Sequence, residues 1–186
     1  DTYKSWDSNL FFQYLNDFKI EQSKKINKLS KGMRKKLEIA SALAHHPKLL
    51  ILDEPTSGLD PVVRNEVLDI FLKFLSDDEH TILLSTHITS DLEHIADKII
   101  FIDKGKLILD ESRDDIMDNY AVLKCGLDYF NKVDKKDIMA YNKNKYGYNI
   151  LIKDKRNAKK KYRDCILDPI TIEDLMILMI KGEKSC

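Results

Sequence analysis

Two adjacent carboxylates, Asp53 and Glu54, are the residues of this sequence whose types and placement most directly suggest chemistry. They follow the apolar run Leu49–Leu52, which lies between Pro47 and Pro55. Such a run predicts a strand buried on both faces, as in a parallel sheet covered by helices. Ligands bind outside the carboxyl ends of the strands in open α/β sheets, so this pair is placed where reactions occur.

The acidic pair also has a natural division of labour. Side chains alternate along an extended segment, so the carboxylates of Asp53 and Glu54 diverge. One can then hold a hard cation while the other takes a proton from water. The alternative interpretation is a core strand that simply ends in solvent, and the pair alone does not decide between the two.

A second candidate site lies upstream, where Leu29-Ser30-Lys31-Gly32-Met33 precedes a basic amphipathic helix. Ser30 is well placed as the N-cap, so the first turn offers unpaired N–H groups and the positive end of the helix dipole. Gly32 lets an anion approach the backbone, and this arrangement predicts an anion site. An ordinary helix cap is the alternative.

An aspartate at position 32 would repel the anion yet leave folding nearly intact, because helix N-termini favour acidic residues.

Further elements are predicted to position these groups. Asp60 and Pro61 begin a helix that ends near Ser76. Thr81–Ser85 is a second apolar strand, and His87 follows its carboxyl end, where a histidine can sense a bound phosphate. The runs 98–102 and 107–109 predict a hairpin. Beyond residue 115, short apolar runs alternate with polar helical stretches up to a final helix that begins near Thr171.

Composition excludes several classes of protein. The chain has 186 residues, with 31 Lys and Arg against 31 Asp and Glu, so the overall charge indicates neither nucleic acid nor anionic lipid as a partner. No signal sequence is recognisable, and the apolar run 175–180 is too short to span a bilayer, so we expect a soluble chain. The three cysteines, Cys125, Cys165 and Cys186, are odd in number and widely spaced, which favours reduced cytosolic thiols.

The four motifs LSKGM, LLILDEP, SGLD and the strand-end histidine occur here in the order and spacing of the nucleotide-binding subunit of ABC transporters, which residues 5–110 resemble. The resemblance implies an α/β fold with three parts. Residues 1–46 would form a helical signature subdomain, and residues 47–114 a partial P-loop NTPase core. Residues 115–186 would form a small carboxyl-terminal α+β extension.

The resemblance also implies roles for individual residues, with ATP and Mg²⁺ as cofactors. Asp53 would hold Mg²⁺, Glu54 would activate the attacking water, and His87 would contact the γ-phosphate. Nucleotide-binding residues would be Ser30, Lys31, Gly32 and Asp60. Ser30 and Gly32 would bind the γ-phosphate of an ATP held by the opposite subunit, and Asp60 would help to align the two subunits. Lys31 and Met33 depart from the commonest signature form, LSGGQ, and Met33 lacks the donor of an amide.

No segment of the sequence fits the phosphate-binding pattern G-x-x-x-x-G-K-[ST], because Gly105-Lys106 has Ile100 at its first position and Leu107 at its last. Neither Gln13 nor Gln22 follows a recognisable core strand, so neither is assigned to the family's Q-loop. The sequence therefore resembles the carboxyl-terminal part of an ABC ATPase, and we expect this segment alone to be inactive.

The resemblance implies an ATP-hydrolysing subunit of an ABC transporter. The further likeness is to the ATPases of bacterial exporters. Its partners would be a second ATPase subunit, in a homodimer or heterodimer, and a membrane permease, with no nucleic acid. It would lie in the cytoplasm, peripheral on the inner face of the cell membrane. Two alternatives remain open: a soluble ABC-type ATPase that acts on ribosomes or DNA, and an interaction module that does not hydrolyse ATP.

Overall fold

A computed structural model describes residues 5–184 of the chain. These residues form two compact units, of which the first ends at Asp91 and the second begins at Leu92. None of the helices described is long and apolar enough to cross a membrane.

Three capped helices build the first unit, and each was predicted from its capping residue. Helix α1 is Ser8–Asp17, α2 is Lys31–Leu43 and α3 is Pro61–Leu75. Their N-caps are Asp7, Ser30 and Asp60, whose side chains accept hydrogen bonds from backbone N–H groups of the first turns. A short 3₁₀ turn, Ile26–Lys28, precedes α2.

The sheet of the first unit has two parallel strands, β1 (Leu49–Asp53) and β2 (Thr81–Ser85). Leu49 pairs with Thr81 and Asp53 with Ser85, so both carboxyl ends lie at one edge. The prediction that β1 is buried on both faces is wrong for the unit described: Leu50 is buried, whereas Leu49 and Ile51 are 51% and 72% exposed. Burial alternates because, within the first unit, the two-stranded sheet is covered on one face only.

Helix α4, Thr89–Ile95, spans the division between the units. The second unit then begins with an antiparallel hairpin, as predicted, formed by β3 (Lys98–Asp103) and β4 (Lys106–Ser112). Helix α5, Arg113–Asn119, follows with Ser112 as its N-cap.

A four-stranded antiparallel sheet forms the rest of the second unit, in the order β6-β7-β5-β8. The strands are β5 (Ala121–Cys125), β6 (Ala140–Lys143), β7 (Tyr148–Ile152) and β8 (Ile166–Pro169). The remaining helices are α6 (Leu127–Phe130), α7 (Lys155–Lys161) and α8 (Ile172–Lys181), with a 3₁₀ turn at Lys135–Asp137.

Both faces of this sheet are buried. Val122 and Leu151 share a core with α5 and α8, whereas Leu123 and Ile150 share another with Ala158 of α7. The carboxyl-terminal region is therefore α+β, as the alternation of apolar runs predicted.

Candidate functional site

The acidic pair lies at the carboxyl end of β1, beside the end of β2. Ser85 stands opposite Asp53 in the parallel register, and its hydroxyl donates a hydrogen bond to Asp53 Oδ1. The Glu54 N–H donates to the Ser85 carbonyl oxygen over 3.0 Å. Glu54 has a φ of 46°, a left-handed conformation that is unusual for a residue with a side chain. The strand therefore ends at a sharp turn at Glu54.

Glu54 and His87 are brought together, as their shared edge of the sheet predicts. His87 Nδ1 lies 2.7 Å from Glu54 Oε1. Glu54 Oε2 is buried and has no hydrogen-bond partner among the residues described. The imidazole is 70% exposed, so a ligand can reach it. One carboxylate oxygen is thus held by the imidazole, and the other is unpaired among the described residues.

Asp53 fits a Mg²⁺ ligand. Its side chain is exposed at the edge of the sheet, and only one of its oxygens is engaged by Ser85. Mg²⁺ is usually held by one or two carboxylates together with water and substrate phosphates rather than by a complete protein cage. Among the described residues, no group of three or more His, Cys, Asp or Glu side chains that could hold a metal ion is found.

The upstream candidate site lies at the start of α2, where Ser30 Oγ accepts a hydrogen bond from Met33 N over 3.2 Å. Lys31 extends from this turn to the loop before α3. A Cβ built on Gly58 would lie only 2.0 Å from Lys31 Nζ, and Gly58 has a φ of 68° that favours glycine. Contacts within the first unit therefore join the LSKGM stretch to the SGLD stretch.

Gly32 has a structural role that the sequence did not reveal. A Cβ at this position would lie 2.8 Å from Cγ1 of Val63, in the first turn of α3. The expectation that an aspartate at position 32 leaves folding nearly intact is therefore wrong, since any side chain there collides with a β-branched neighbour. The contact of Gly32 with Val63 depends on the packing of α2 against α3, and the sequence does not predict that packing.

The Asp60 side chain caps α3. Its Oδ1 accepts hydrogen bonds from Val62 N and Val63 N, both over 3.1 Å. The carboxylate is exposed, so its free oxygen faces solvent at the same end of the helix.

Sequence reasoning missed a buried network behind this loop. Thr56 and Asp91 are each 1% exposed, and the Thr56 hydroxyl donates to Asp91 Oδ2. Arg64 Nε donates to Asp91 Oδ1 over 2.6 Å, and its Nη2 donates to the Ser90 hydroxyl. These bonds fasten the loop after Glu54 to α3 and α4. A buried carboxylate needs such a partner, but its identity depends on tertiary structure.

The candidate residues thus form two groups. Among the described residues, no side-chain hydrogen bond or ion pair joins Ser30, Lys31 or Gly32 to the group of Asp53, Glu54 and His87. One group is a carboxylate and histidine site at the end of the sheet. The other is the start of a helix with a lysine over a tight turn.

Comparisons with known proteins find similarity to ABC transporters. Residues 3–57 match the family described as ABC transporter. The lantibiotic transport ATP-binding protein SrtF of Streptococcus pyogenes is 48% identical over 89 residues, which are 48% of this chain and 38% of that protein. The ATP-binding protein YtrB of Bacillus subtilis is 24% identical over 190 residues, 98% of this chain and 65% of the relative. This chain therefore spans about two fifths to two thirds of the length of these relatives.

Solved structures show the same fold. An inward-facing ABC transporter of the putative metal-chelate type matches 91% of this chain and 61% of its own, with a TM-score of 0.54 and 19% identity. The dimeric bacterial ABC transporter cassette MJ0796 matches 56% of this chain and 46% of its own, with a TM-score of 0.50 and 25% identity. Over the residues that these comparisons match, the chain is similar to ATP-binding subunits of ABC transporters.

Proposed function

We propose that this chain provides the hydrolytic carboxylate and the signature helix of a transport ATPase, in which ATP hydrolysis at a dimer interface drives a membrane permease. The observation that carries the proposal is the Glu54–His87 contact at the end of the sheet, with Glu54 Oε2 buried and unpartnered among the described residues. A buried acceptor beside an exposed imidazole suits a water molecule that must lose a proton next to a phosphate.

Each residue of the first group has a part in this proposal. Asp53 holds Mg²⁺, directly or through water, while Ser85 orients its carboxylate. Bound Mg²⁺ would neutralise phosphate charge. Glu54 positions the attacking water and accepts its proton at Oε2. His87 contacts the γ-phosphate through its exposed edge, and its contact with Glu54 holds the base in place.

The second group acts on the nucleotide of another subunit. Ser30 and Gly32 present the N-terminus of α2 to the γ-phosphate, with Lys31 as a nearby positive charge. Asp60 aligns the two subunits from the start of α3. The resemblance of the LSKGM stretch to the ABC signature motif supports a site shared between two chains. The dimeric form of the cassette MJ0796 agrees with this arrangement.

The proposed membrane partner is a permease, with this subunit on the cytoplasmic face. Bacterial export is the favoured direction because the SGLDP continuation and the carboxyl-terminal extension resemble exporter ATPases. The relatives include the bacitracin transport protein BcrA of Bacillus licheniformis, 43% identical over 88 residues and matched over 29% of its length. They also include an energy-coupling factor transporter protein, so direction is tested separately, by cargo movement in vesicles.

The test is a chimera in which residues 29–95 of this chain replace their counterparts in SrtF, which supplies the remainder of a cassette. Glu54→Gln should slow ATP hydrolysis by at least about a hundredfold, the scale of a lost general base, and leave ATP binding unchanged. Glu79→Gln is the matched control, because Glu79 is exposed and pairs with Lys48 away from the site. Loss of ATP binding in Glu54→Gln, or unchanged turnover, would overturn the assignment.

A further inference from the structure

Two cysteines that are distant in sequence become direct neighbours in the second unit. Strands β5 and β8 are antiparallel, with Leu123 opposite Leu167 and Lys124 opposite Ile166. Continuing this register by one residue places Cys125, the last residue of β5, opposite Cys165, which immediately precedes β8. Forty positions separate the two in the sequence, so their spacing does not indicate the pairing.

The side chains also share a face of the sheet. Cys125, Cys165 and Leu167 pack on one hydrophobic cluster with Leu123. Directly opposed residues of an antiparallel pair have Cβ atoms about 4.5–5.5 Å apart, and a disulfide requires about 3.5–4.5 Å. A closure of about 1 Å is therefore sufficient. Cys165 lies just before the paired residues of β8, and its backbone N–H donates to the Tyr162 carbonyl oxygen over 3.1 Å.

The pKa shifts of the two thiols are consistent with this placement. Burial raises the pKa of Cys125, and the neighbouring Cys165 raises it further. Burial also raises the pKa of Cys165, but a hydrogen bond from the Tyr129 hydroxyl favours its thiolate and acts in the opposite direction. Both thiols are partly exposed and both are free. Both thiols are therefore largely protonated near neutral pH, and the Tyr129 hydroxyl stabilises the Cys165 thiolate when it forms.

We propose that Cys125 and Cys165 are a disulfide modification site, closed by a small organic disulfide of the glutathione type. The Cys165 thiolate attacks one sulfur of oxidised glutathione, forms a mixed disulfide and releases one glutathione thiolate. The Cys125 thiolate then attacks Cys165 Sγ and releases the second glutathione. The two cysteines are oxidised, one glutathione disulfide is reduced to two thiols, and the protons of the cysteines pass to the released thiolates.

The bond would fasten the end of β5 to the start of β8 and close the chain segment that contains β6, β7 and α7. Its expected effect is greater resistance of the second unit to unfolding under oxidising conditions. This site is independent of the proposed ATPase function, since none of the residues assigned to nucleotide or metal contributes to it.

The experiment exposes the purified 186-residue chain to oxidised glutathione at several pH values, then blocks free thiols and maps linked peptides by mass spectrometry. We expect one peptide pair that joins Cys125 to Cys165, forming faster as the pH rises above 8, and a rise in Tm of at least about 5 °C. Tyr129→Phe should slow the first step several-fold.

Cys125→Ser and Cys165→Ser each test the bond, and Cys186→Ser is the matched control, which should keep it. Thiol mapping of the unmodified chain needs no variant and does not depend on whether the variants fold. A bridge that involves Cys186, or glutathione adducts that persist on Cys125 and Cys165 without a bond between them, would overturn the proposal.

Discussion

Arg64 and Asp91 form a buried ion pair, with 2.6 Å between Arg64 Nε and Asp91 Oδ1. Asp91 also accepts a hydrogen bond from Thr56, two residues after Glu54, so this carboxylate links the loop of the proposed base to α3 and α4. Replacing Arg64 with methionine leaves the Asp91 carboxylate, which is 1% exposed, without its ion-pair partner and with the Thr56 hydrogen bond still in place. Breaking a buried pair from one side costs about 3–5 kcal/mol.

We therefore predict that Arg64→Met lowers the free energy of unfolding by about 3 kcal/mol, measured by urea denaturation of the whole chain. The control is Arg34→Met, since Arg34 is exposed and its guanidinium hydrogen-bonds the Asn27 carbonyl oxygen. Equal effects of the two substitutions would mean that the Arg64–Asp91 pair contributes nothing particular to the fold.

Sequence patterns predicted those features that depend on local chemistry. Ser30 and Asp60 were predicted as helix caps because a side-chain oxygen before a helical run satisfies nearby N–H groups. Thr81–Ser85 was predicted as a strand because it is a short apolar run. The histidine follows its carboxyl end. The position of His87 beside Glu54 followed from both strands ending at the same edge of a parallel sheet.

Features that depend on which elements meet were not predictable. Asp91 resembles any acidic residue of a short helix until Thr56 and Arg64 are placed against it. The local sequence around Gly32 does not show that Val63 packs beside it, so this contact could not be predicted. The two faces of β1 carry equally apolar residues, yet Ile51 is exposed in the described unit and Leu50 is buried. An apolar run predicts a strand, but it does not show whether one face or both faces of that strand are covered by other elements.

Gly32 and Val63 provide a test that separates packing from phosphate binding. Gly32→Ala places a Cβ 2.8 Å from Val63 Cγ1, an atom on a short, stiff side chain, so we predict a loss of about 1–3 kcal/mol in the free energy of unfolding. Adding Val63→Ala removes that atom and should recover most of the loss. A double-mutant cycle by urea denaturation measures the coupling. Coupling below about 0.5 kcal/mol would contradict the close packing of α2 and α3.

Gly58 and Gly105 form a matched pair of glycines with left-handed backbones, at φ values of 68° and 73°. Gly105 has open space around its missing Cβ, whereas Gly58 has Lys31 Nζ there. Alanine at either position costs about 1–2 kcal/mol of backbone strain. We predict similar losses of stability, because the end of a lysine side chain can move aside.

The two alanine variants should differ in function. In the SrtF chimera described above, extended to residues 29–112, Gly58→Ala displaces Lys31 and should weaken ATP-driven dimerisation, measured by size-exclusion chromatography in the Glu54→Gln background. Gly105→Ala should not. If both variants dimerise like the parent, the contact of Lys31 with the SGLD turn has no part in closing the nucleotide site.

The second unit should lose an ion-pair contribution in acid. Lys161 Nζ lies 3.0 Å from Asp134 Oδ2 and 2.7 Å from Asp137 Oδ2. The hydrogen bond from Lys161 lowers the pKa of Asp134; burial raises that of Asp137, but hydrogen bonds from Lys161 and Tyr162 outweigh it and leave it lowered. A carboxylate whose folded pKa is depressed stabilises the fold above its unfolded pKa of about 3.9, and this stabilisation is lost as the pH falls through the folded pKa.

We therefore predict that Lys161→Gln lowers Tm at pH 7 and that the difference from the parent chain shrinks as the pH falls below about 3.9 and through the lowered pKa values of the two carboxylates. Lys159→Gln is the control on the same helix, because Lys159 is exposed and has no ion-pair partner within residues 5–184. A difference in Tm that is constant between pH 7 and pH 3 would show that Lys161 acts through packing rather than charge.

The last prediction concerns the chain by itself. Its sequence contains no G-x-x-x-x-G-K-[ST] segment, so the backbone N–H groups and lysine that cradle nucleotide phosphates in this family are not supplied by these 186 residues. We predict that the isolated chain neither binds ATP detectably in equilibrium dialysis nor hydrolyses it above background, although Glu54 and His87 are already in contact. Glu54→Gln decides the meaning of any residual signal. Turnover that survives this substitution comes from a contaminant, whereas turnover that disappears with it would show that the chain holds phosphate by another route and would contradict the prediction.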